Sequence, residues 1–207
     1  MTAWKRLAAI STDTNPTARM ASANLPLEAL ERVRLVQDAD TGAFDCGDTD
    51  LNEFLATDSK TYLRELMAVT YLFRHDGRTV AFYSVANDKL TCDPGPKPSI
   101  WKLLESAIPK KKQRRYYPSV KLGRLGVCRD YQSSGLGTQI LDHLKVTFIT
   151  NNRTGCRFIT VDAYNNTRSL NFYMKNGFAF LREGDEKVDT RLMYFDLKPF
   201  HDLQHPA

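Results

Sequence analysis

Apolar residues recur at helical spacing between Asp48 and Leu66, with Leu51, Phe54, Leu55, Tyr62 and Leu66 near one stripe. That period predicts a helix, and Asp48 or Thr49 can cap its first free N–H groups. Next, "AVTYLFRHDGRTVAFYSVAND" sets two β-rich runs around Asp76-Gly77, the signature of a hairpin. "CDPGPKPS" reads as a loop and "IWKLLESAI" as a short amphipathic helix. "SVKLGRLGVCRD" reads as a strand. "YQSSGLGTQILDHLKVTFITNN" is a loop and then a helix, with Leu136, Ile140, Leu144 and Phe148 on one face. "GCRFITVDAY" is another strand, "NTRSLNFYMKNGF" a short helix closed by Asn176-Gly177, and "DTRLMYFDL" a last strand. Upstream, the mixed pattern of "LEALERVRLVQD" fits either a short helix or a first strand at "VRLV". A hairpin followed by strand-helix-strand-helix-strand predicts a mixed α/β (α+β) domain around a central sheet. Residues 1–24 show no period and read as a loose extension, 25–199 as the domain, and 200–207 as a polar tail.

Composition narrows this little. A chain of 207 residues, 42% hydrophobic and 26% charged, suits one globular domain with its own core. No apolar run approaches the roughly 20 residues of a membrane span. "LAAI" after Lys5 and Arg6 is too short for a signal-peptide core, so the expected location is the cytoplasm. Cys46, Cys92, Cys128 and Cys156 are scattered without a CxxC pair, and His201 and His205, four apart in the polar tail, lack a third ligand; buried free thiols and no metal are expected. The net charge of +5 is unevenly spread. Pro109 to Arg124 carries Lys110, Lys111, Lys112, Arg114, Arg115, Lys121 and Arg124 without an acid, whereas Asp45 to Asp58 is acidic. One face should therefore meet an anionic partner.

Candidate chemistry lies in "YQSSGLGTQILDHL". Glycines weaken a helix interior, so Gly135 and Gly137 make sense where the backbone must approach something closely. A strand feeding a Gly- and Ser-rich turn that opens a helix can hold phosphate on free N–H groups, and Ser133, Ser134 and Thr138 add hydroxyl donors.

"QSSGLG" resembles the Q/R-x-x-G-x-G/A signature of the GNAT superfamily of acyl-CoA-dependent N-acetyltransferases, and it follows the strand "LGRLGV" as in that family. "NNTRSLNFYMKNGF" resembles the second family motif: Asn166, Tyr173, Gly177 and Phe178 match its spacing, with Ser169 in place of alanine. The resemblance spans about Phe44 to Leu197. It implies acetyl-CoA as co-substrate. The backbone of Leu125, Gly126 and Val127 would meet the pantetheine arm, with the Val127 N–H holding the oxyanion. Gln132, Ser133, Ser134, Gly135, Leu136, Gly137 and Thr138 would cradle the pyrophosphate. Asn166 and Ser169 would border the CoA arm, and Tyr173 would lie beside the sulfur as general acid. A core aromatic is the alternative reading of Tyr173. Some members place a glutamate base where this chain has Val161, and strand alternation turns the neighbouring Asp162 to the opposite face. An acceptor with a low-pKa α-amine would ease that lack.

"FDCGDTDLNEFL" and "RRYYPSVKLGRLGV" also resemble segments of the toxin-type GNAT branch, which acetylates the α-amine of aminoacyl-tRNA and is paired with a small antitoxin protein. Lys110, Lys111, Lys112, Arg114 and Arg115 would then face RNA, with Tyr116 and Tyr117 stacking on a base. A small-molecule or protein amine acceptor, and a non-catalytic acyl-CoA-binding module, remain the alternatives at this point. Homodimers are common in the family.

Overall fold

The computed structural model describes residues 25–91, 99–112, 115–150, 152, 154–182 and 185–205. The extension 1–24, the loop 92–98, Cys92 and Arg114 lie outside them. The chain enters through a 3-10 turn (Leu27–Ala29) and β1 (Glu31–Arg34), which settles the upstream ambiguity in favour of a strand. Helix α1 is composite: Thr49–Glu53, a π-helical turn at Phe54–Asp58, then Ser59–Arg64. Asp48 caps it, its carboxylate accepting from the Leu51 N–H at 3.2 Å. Adjacent Phe54 and Leu55 are both buried, and the wider π turn brings both to the core.

A hairpin follows, β2 (Val69–His75) and β3 (Arg78–Thr91), turning where Asp76 and Gly77 both have positive φ. Then come α2 (Ser99–Ala107), β4 (Tyr116–Val127), α3 (Leu136–Ile149), β5 (Phe158–Tyr164), α4 (Thr167–Lys175), β6 (Ala179–Phe180), β7 (Thr190–Asp196) and α5 (Leu197–Gln204). The strands form one mixed sheet in the order β1-β2-β3-β4-β5-β7-β6. The mixed α/β expectation therefore holds. The polar tail read from residue 200 does not: α5 runs to Gln204, capped by Asp196, and the Phe200 ring sits 6.0 Å from Phe195. Leu197 and Phe200 carry that packing while Leu203 on the same helix stays exposed, so the buried stripe is only two residues long.

The sheet is covered on both faces. On one, Leu136, Ile140 and Leu144 of α3 pack on Val120, Leu122, Ile159 and Val161. Each fully buried Leu or Ile contributes about 1.5–3 kcal/mol. On the other, α2 buries Trp101 and Leu104 against Leu90, Tyr117 and Phe158, and α1 buries Phe54 and Leu55 against Leu72 and Phe82.

Two irregularities in β4 break the regular ladder at the middle of the sheet. Its pairing with β3 passes from Val85↔Leu122 to Ser84↔Arg124, leaving Gly123 as an extra, bulged residue. On its other edge, β4 runs parallel to β5 and pairs only at Ser119↔Phe158, Val120↔Ile159 and Lys121↔Thr160. Beyond that point the two strands part.

Candidate active site

The gap between β4 and β5 opens into a cleft of about 1230 Å³. One wall is the loop before α3. Gly135 takes φ +87°, a left-handed conformation that side chains disfavour, and a Cβ there would meet nothing within 4 Å. Ser133 shares the positive φ at 62°. The α3 N-terminus is thereby turned toward the cleft, with open space before it. Gly137 is small for a different reason: a Cβ would come within 3.2 Å of the Phe172 ring, so it admits α4 rather than a ligand.

Gln132, Ser133, Gly135, Gly137 and Thr138 all border this cleft. Ser134 and Leu136 do not. The Ser134 hydroxyl donates to the Tyr131 carbonyl at 2.7 Å and accepts from the Leu136 N–H at 3.4 Å, while the Leu136 side chain is fully buried in the core. Those two residues build the turn from within. Gln132 is also committed inward. Its Nε2 donates to the carbonyls of Cys46 (2.7 Å) and Val127 (2.8 Å), and its Oε1 accepts from Arg168 Nη2 (2.8 Å).

The second wall is the free edge of β4. Cys128 N–H donates to the Val80 carbonyl at 2.8 Å, which makes Cys128 and Val80 a hydrogen-bonded pair. Such pairs alternate along an antiparallel ladder. Gly126 therefore spends its N–H and carbonyl on β3, and Leu125 and Val127 turn theirs into the gap. The bond from Gln132 to the Val127 carbonyl agrees. Of the three backbone residues expected to face the cleft with their polar groups, Leu125 and Val127 do so. Gly126 lines it too, but its role is to seat the ring of Phe82.

The floor comes from α4. Asn166 caps that helix, its side chain accepting from the Ser169 N–H at 2.9 Å, and both residues border the cleft. Tyr173, about two turns on from Asn166, is 8% exposed and reaches the same space between Phe172 and Phe178. Burial pushes its phenol well above the usual tyrosine range.

The cleft passes through the sheet. Val161 faces the α3 side, and Asp162 turns to the opposite face, as alternation requires. That opposite face is the second mouth of the same cleft, bordered by Asp48, Asp50, Lys121, Arg124, Asp162 and Tyr164. Asp162 is therefore not remote from the gap. Arg124 Nε lies 3.3 Å from Asp50 Oδ2 and its guanidinium sits 5.2 Å from the Phe54 ring centroid. Tyr164 Oη reaches the same Asp50 oxygen at 3.4 Å. Lys121 and Asp162 form an ion pair where the strands part. Sequence spacing did not reveal these partners, although Asp48 and Asp50 lie in "FDCGDTDLNEFL". Arg168, at the cleft rim, was legible only as a residue inside the second motif. Lys110, Lys111, Lys112 and Arg115 are exposed, at the end of β4 away from the gap.

The family profile described as "Acetyltransferase (GNAT) domain" matches residues 67–179, more than half of the chain. The chain belongs to the GNAT acetyltransferases. Among solved structures it is similar to AtaT complexed with acetyl-methionyl-tRNAfMet, at 25% identity and a TM-score of 0.68, covering 84% of this chain and 99% of that one. It is also similar to AtaTR bound with AcCoA (24%, TM-score 0.67, covering 86% and 99%). A third is a tyrosine-to-phenylalanine mutant of the AtaT toxin bound to the C-terminus of the antitoxin AtaR (23%, TM-score 0.65, covering 86% and 98%). As a GNAT enzyme the protein uses acetyl-CoA, and its cleft fits that co-substrate. The open space at Gly135 before a helix N-terminus suits a pyrophosphate, and the free edge of β4 suits an amide-bearing arm. Among the described residues, no group of three His, Cys, Asp or Glu could hold a metal, and no helix is long and apolar enough to cross a membrane.

Proposed function

We propose that this GNAT enzyme transfers acetyl to the α-amine of an aminoacyl-tRNA, with Tyr173 as the general acid. The observation that carries the reading is the through-going cleft. A helix N-terminus, the free edge of β4 and Tyr173 lie on one face, and a charged mouth lies on the other. The likeness to AtaT complexed with acetyl-methionyl-tRNAfMet supports the acceptor class. The exposed Lys110, Lys111, Lys112 and Arg115 supply cations for a nucleic-acid backbone, and Arg114 adds one outside the described residues.

When bound, acetyl-CoA supplies the activated acetyl thioester. The N–H groups at the start of α3, with Ser133 and Thr138, take the pyrophosphate. The Leu125 and Val127 backbone groups orient the arm, Asn166 and Ser169 border it, and the Val127 N–H donates to the oxygen on which charge develops. The Tyr173 hydroxyl holds the proton that the departing sulfur takes up, and the acceptor nitrogen loses one to solvent. Because burial raises the Tyr173 pKa, that proton stays in place through the neutral range and beyond. A small antitoxin of the kind bound to AtaT, and a homodimer, are the partners this reading carries with it.

The test offers purified protein labelled acetyl-CoA with charged tRNA, uncharged tRNA or a panel of small amines and proteins. Label on charged tRNA alone is expected. Label confined to a small amine or a protein would retire the acceptor assignment and leave the acetyltransferase. Tyr173→Phe should lower kcat by about 10²- to 10⁴-fold with an unchanged circular dichroism spectrum.

A further inference from the structure

We infer that the Lys121–Asp162 ion pair is an exchangeable latch in the acceptor mouth: the incoming ammonium replaces Lys121 on the Asp162 carboxylate. The latch rests on the proposed reading only in that the acceptor is a primary amine arriving protonated. Position comes first. Pairing of β4 with β5 ends at Lys121↔Thr160, and Asp162 lies two residues further on, on the same strand face as Thr160. Its carboxylate therefore stands at the throat of the gap, on the face opposite Val161. Lys121 reaches it from across that throat. The pair borders this mouth together with Asp48, Asp50, Arg124 and Tyr164.

Chemistry then selects this pair over its neighbour. Asp50 is engaged by Arg124 and Tyr164 together, and the Arg124 guanidinium is also stacked near Phe54 and donates to the Gly123 carbonyl at 3.0 Å. A planar fork held on three sides is not matched by an ammonium ion. Lysine is different: a compact charge on a flexible stem, replaceable by another ammonium of the same geometry. Both partners are partly exposed, Lys121 at 37% and Asp162 at 42%, so the pair is weak enough to exchange. Asp48, the remaining acid of this mouth, is occupied in capping α1.

Exchange makes opposite predictions for the two partners. Removing the carboxylate removes the docking point, and removing the lysine removes a competitor. The test measures binding of methioninamide, a minimal α-amine, to protein saturated with CoA, so that no transfer occurs. The carboxyl ¹³C resonance of Asp162 serves as the reporter and is assigned by its loss in Asp162→Asn. We expect that resonance to shift saturably in the wild type. Asp162→Asn should weaken methioninamide binding, followed by amide shifts, about two- to fivefold, and Lys121→Met should tighten it by a similar factor. CoA affinity should be unchanged in both. No saturable shift in the wild type, or weaker binding in Lys121→Met, overturns the latch. Acetylation of charged tRNA is scored separately. A latch that works in a protein inert toward tRNA would sink only the acceptor assignment, and tRNA acetylation with an unmoved Asp162 resonance would sink only the latch.

Discussion

Gly126 shows how little room the β4 edge leaves. A Cβ there would lie 2.6 Å from Phe82 Cε1 and 3.2 Å from Phe44 Cζ, and both rings are fixed by contact with each other at 5.3 Å. Gly126→Ala should therefore cost about 1–3 kcal/mol by overpacking and shift the β4 edge. Urea melts should show a lower midpoint, and the KM for acetyl-CoA should rise. An alanine variant with wild-type stability would mean that Phe82 turns aside freely. Tyr173 gives a second prediction at this scale. Its ordinary value is about 10 and burial raises it. Activity should accordingly show no alkaline fall from Tyr173 up to about pH 10. Stability gained by keeping the phenol neutral is complete below about pH 10 and is lost above it, where only the unfolded tyrosine ionises freely. A pH–rate profile that turns down near pH 9 in the wild type, and not in Tyr173→Phe, would contradict the burial argument.

Among the elements, one side chain ties the loop before α3 to three others. Gln132 joins the loop before α1 through Cys46, the β4 edge through Val127 and α4 through Arg168. Gln132→Ala should leave Arg168 free and cost about 1–3 kcal/mol for the unsatisfied carbonyls, with a larger change in acetyl-CoA binding than in kcat. Another seam joins β1 to α3, where His143 faces Arg32. Burial, and then the Arg32 charge, lower the His143 pKa. For a base whose folded pKa is depressed, stability is present above about pH 6.5 and is lost as pH falls toward the folded value. Melting temperatures at pH 7.5 and 5.5 should therefore differ more in the wild type than in His143→Gln. What the sequence made legible divides in the same way between local and distant. The cap by Asp48, the Asp76-Gly77 turn and the Gly135 loop are set by neighbours within a few residues, and each was readable. The Lys121–Asp162 and Tyr164–Asp50 contacts join residues 41 and 114 apart, and no local period encodes them. Gly137 borders the cleft as expected of a close approach, but the neighbour its missing Cβ admits is a ring on α4, which only the folded chain brings to 3.2 Å.

At the scale of the whole molecule, β4 joins an exposed basic surface to a mouth where acids and bases are paired. The chain leaves an exposed basic turn at Lys110–Lys112, passes Arg115 into the strand, and reaches the cleft mouth, where Asp50 and Asp162 are paired with Arg124 and Lys121 and Asp48 stands beside them. Roughly six residues separate Arg115 from Lys121, which at about 3.3 Å per strand residue is about 20 Å. An acceptor that touches both must be long, polyanionic at one end and cationic at the other. A nucleic acid ending in an α-amine has that polarity, and a free amine does not. The basic run should then govern affinity without touching chemistry. Replacing Lys110, Lys111, Lys112 and Arg115 with Gln should raise the KM for charged tRNA and leave kcat at saturation unchanged. It should also flatten the plot of log affinity against log salt by about 0.7–0.9 for each phosphate that is no longer neutralised. Acetylation of a small amine should be unaffected by the same change. If tRNA affinity and its salt slope survive the substitution, the nucleic acid reaches the cleft by another route and the basic run before β4 has no part in binding it.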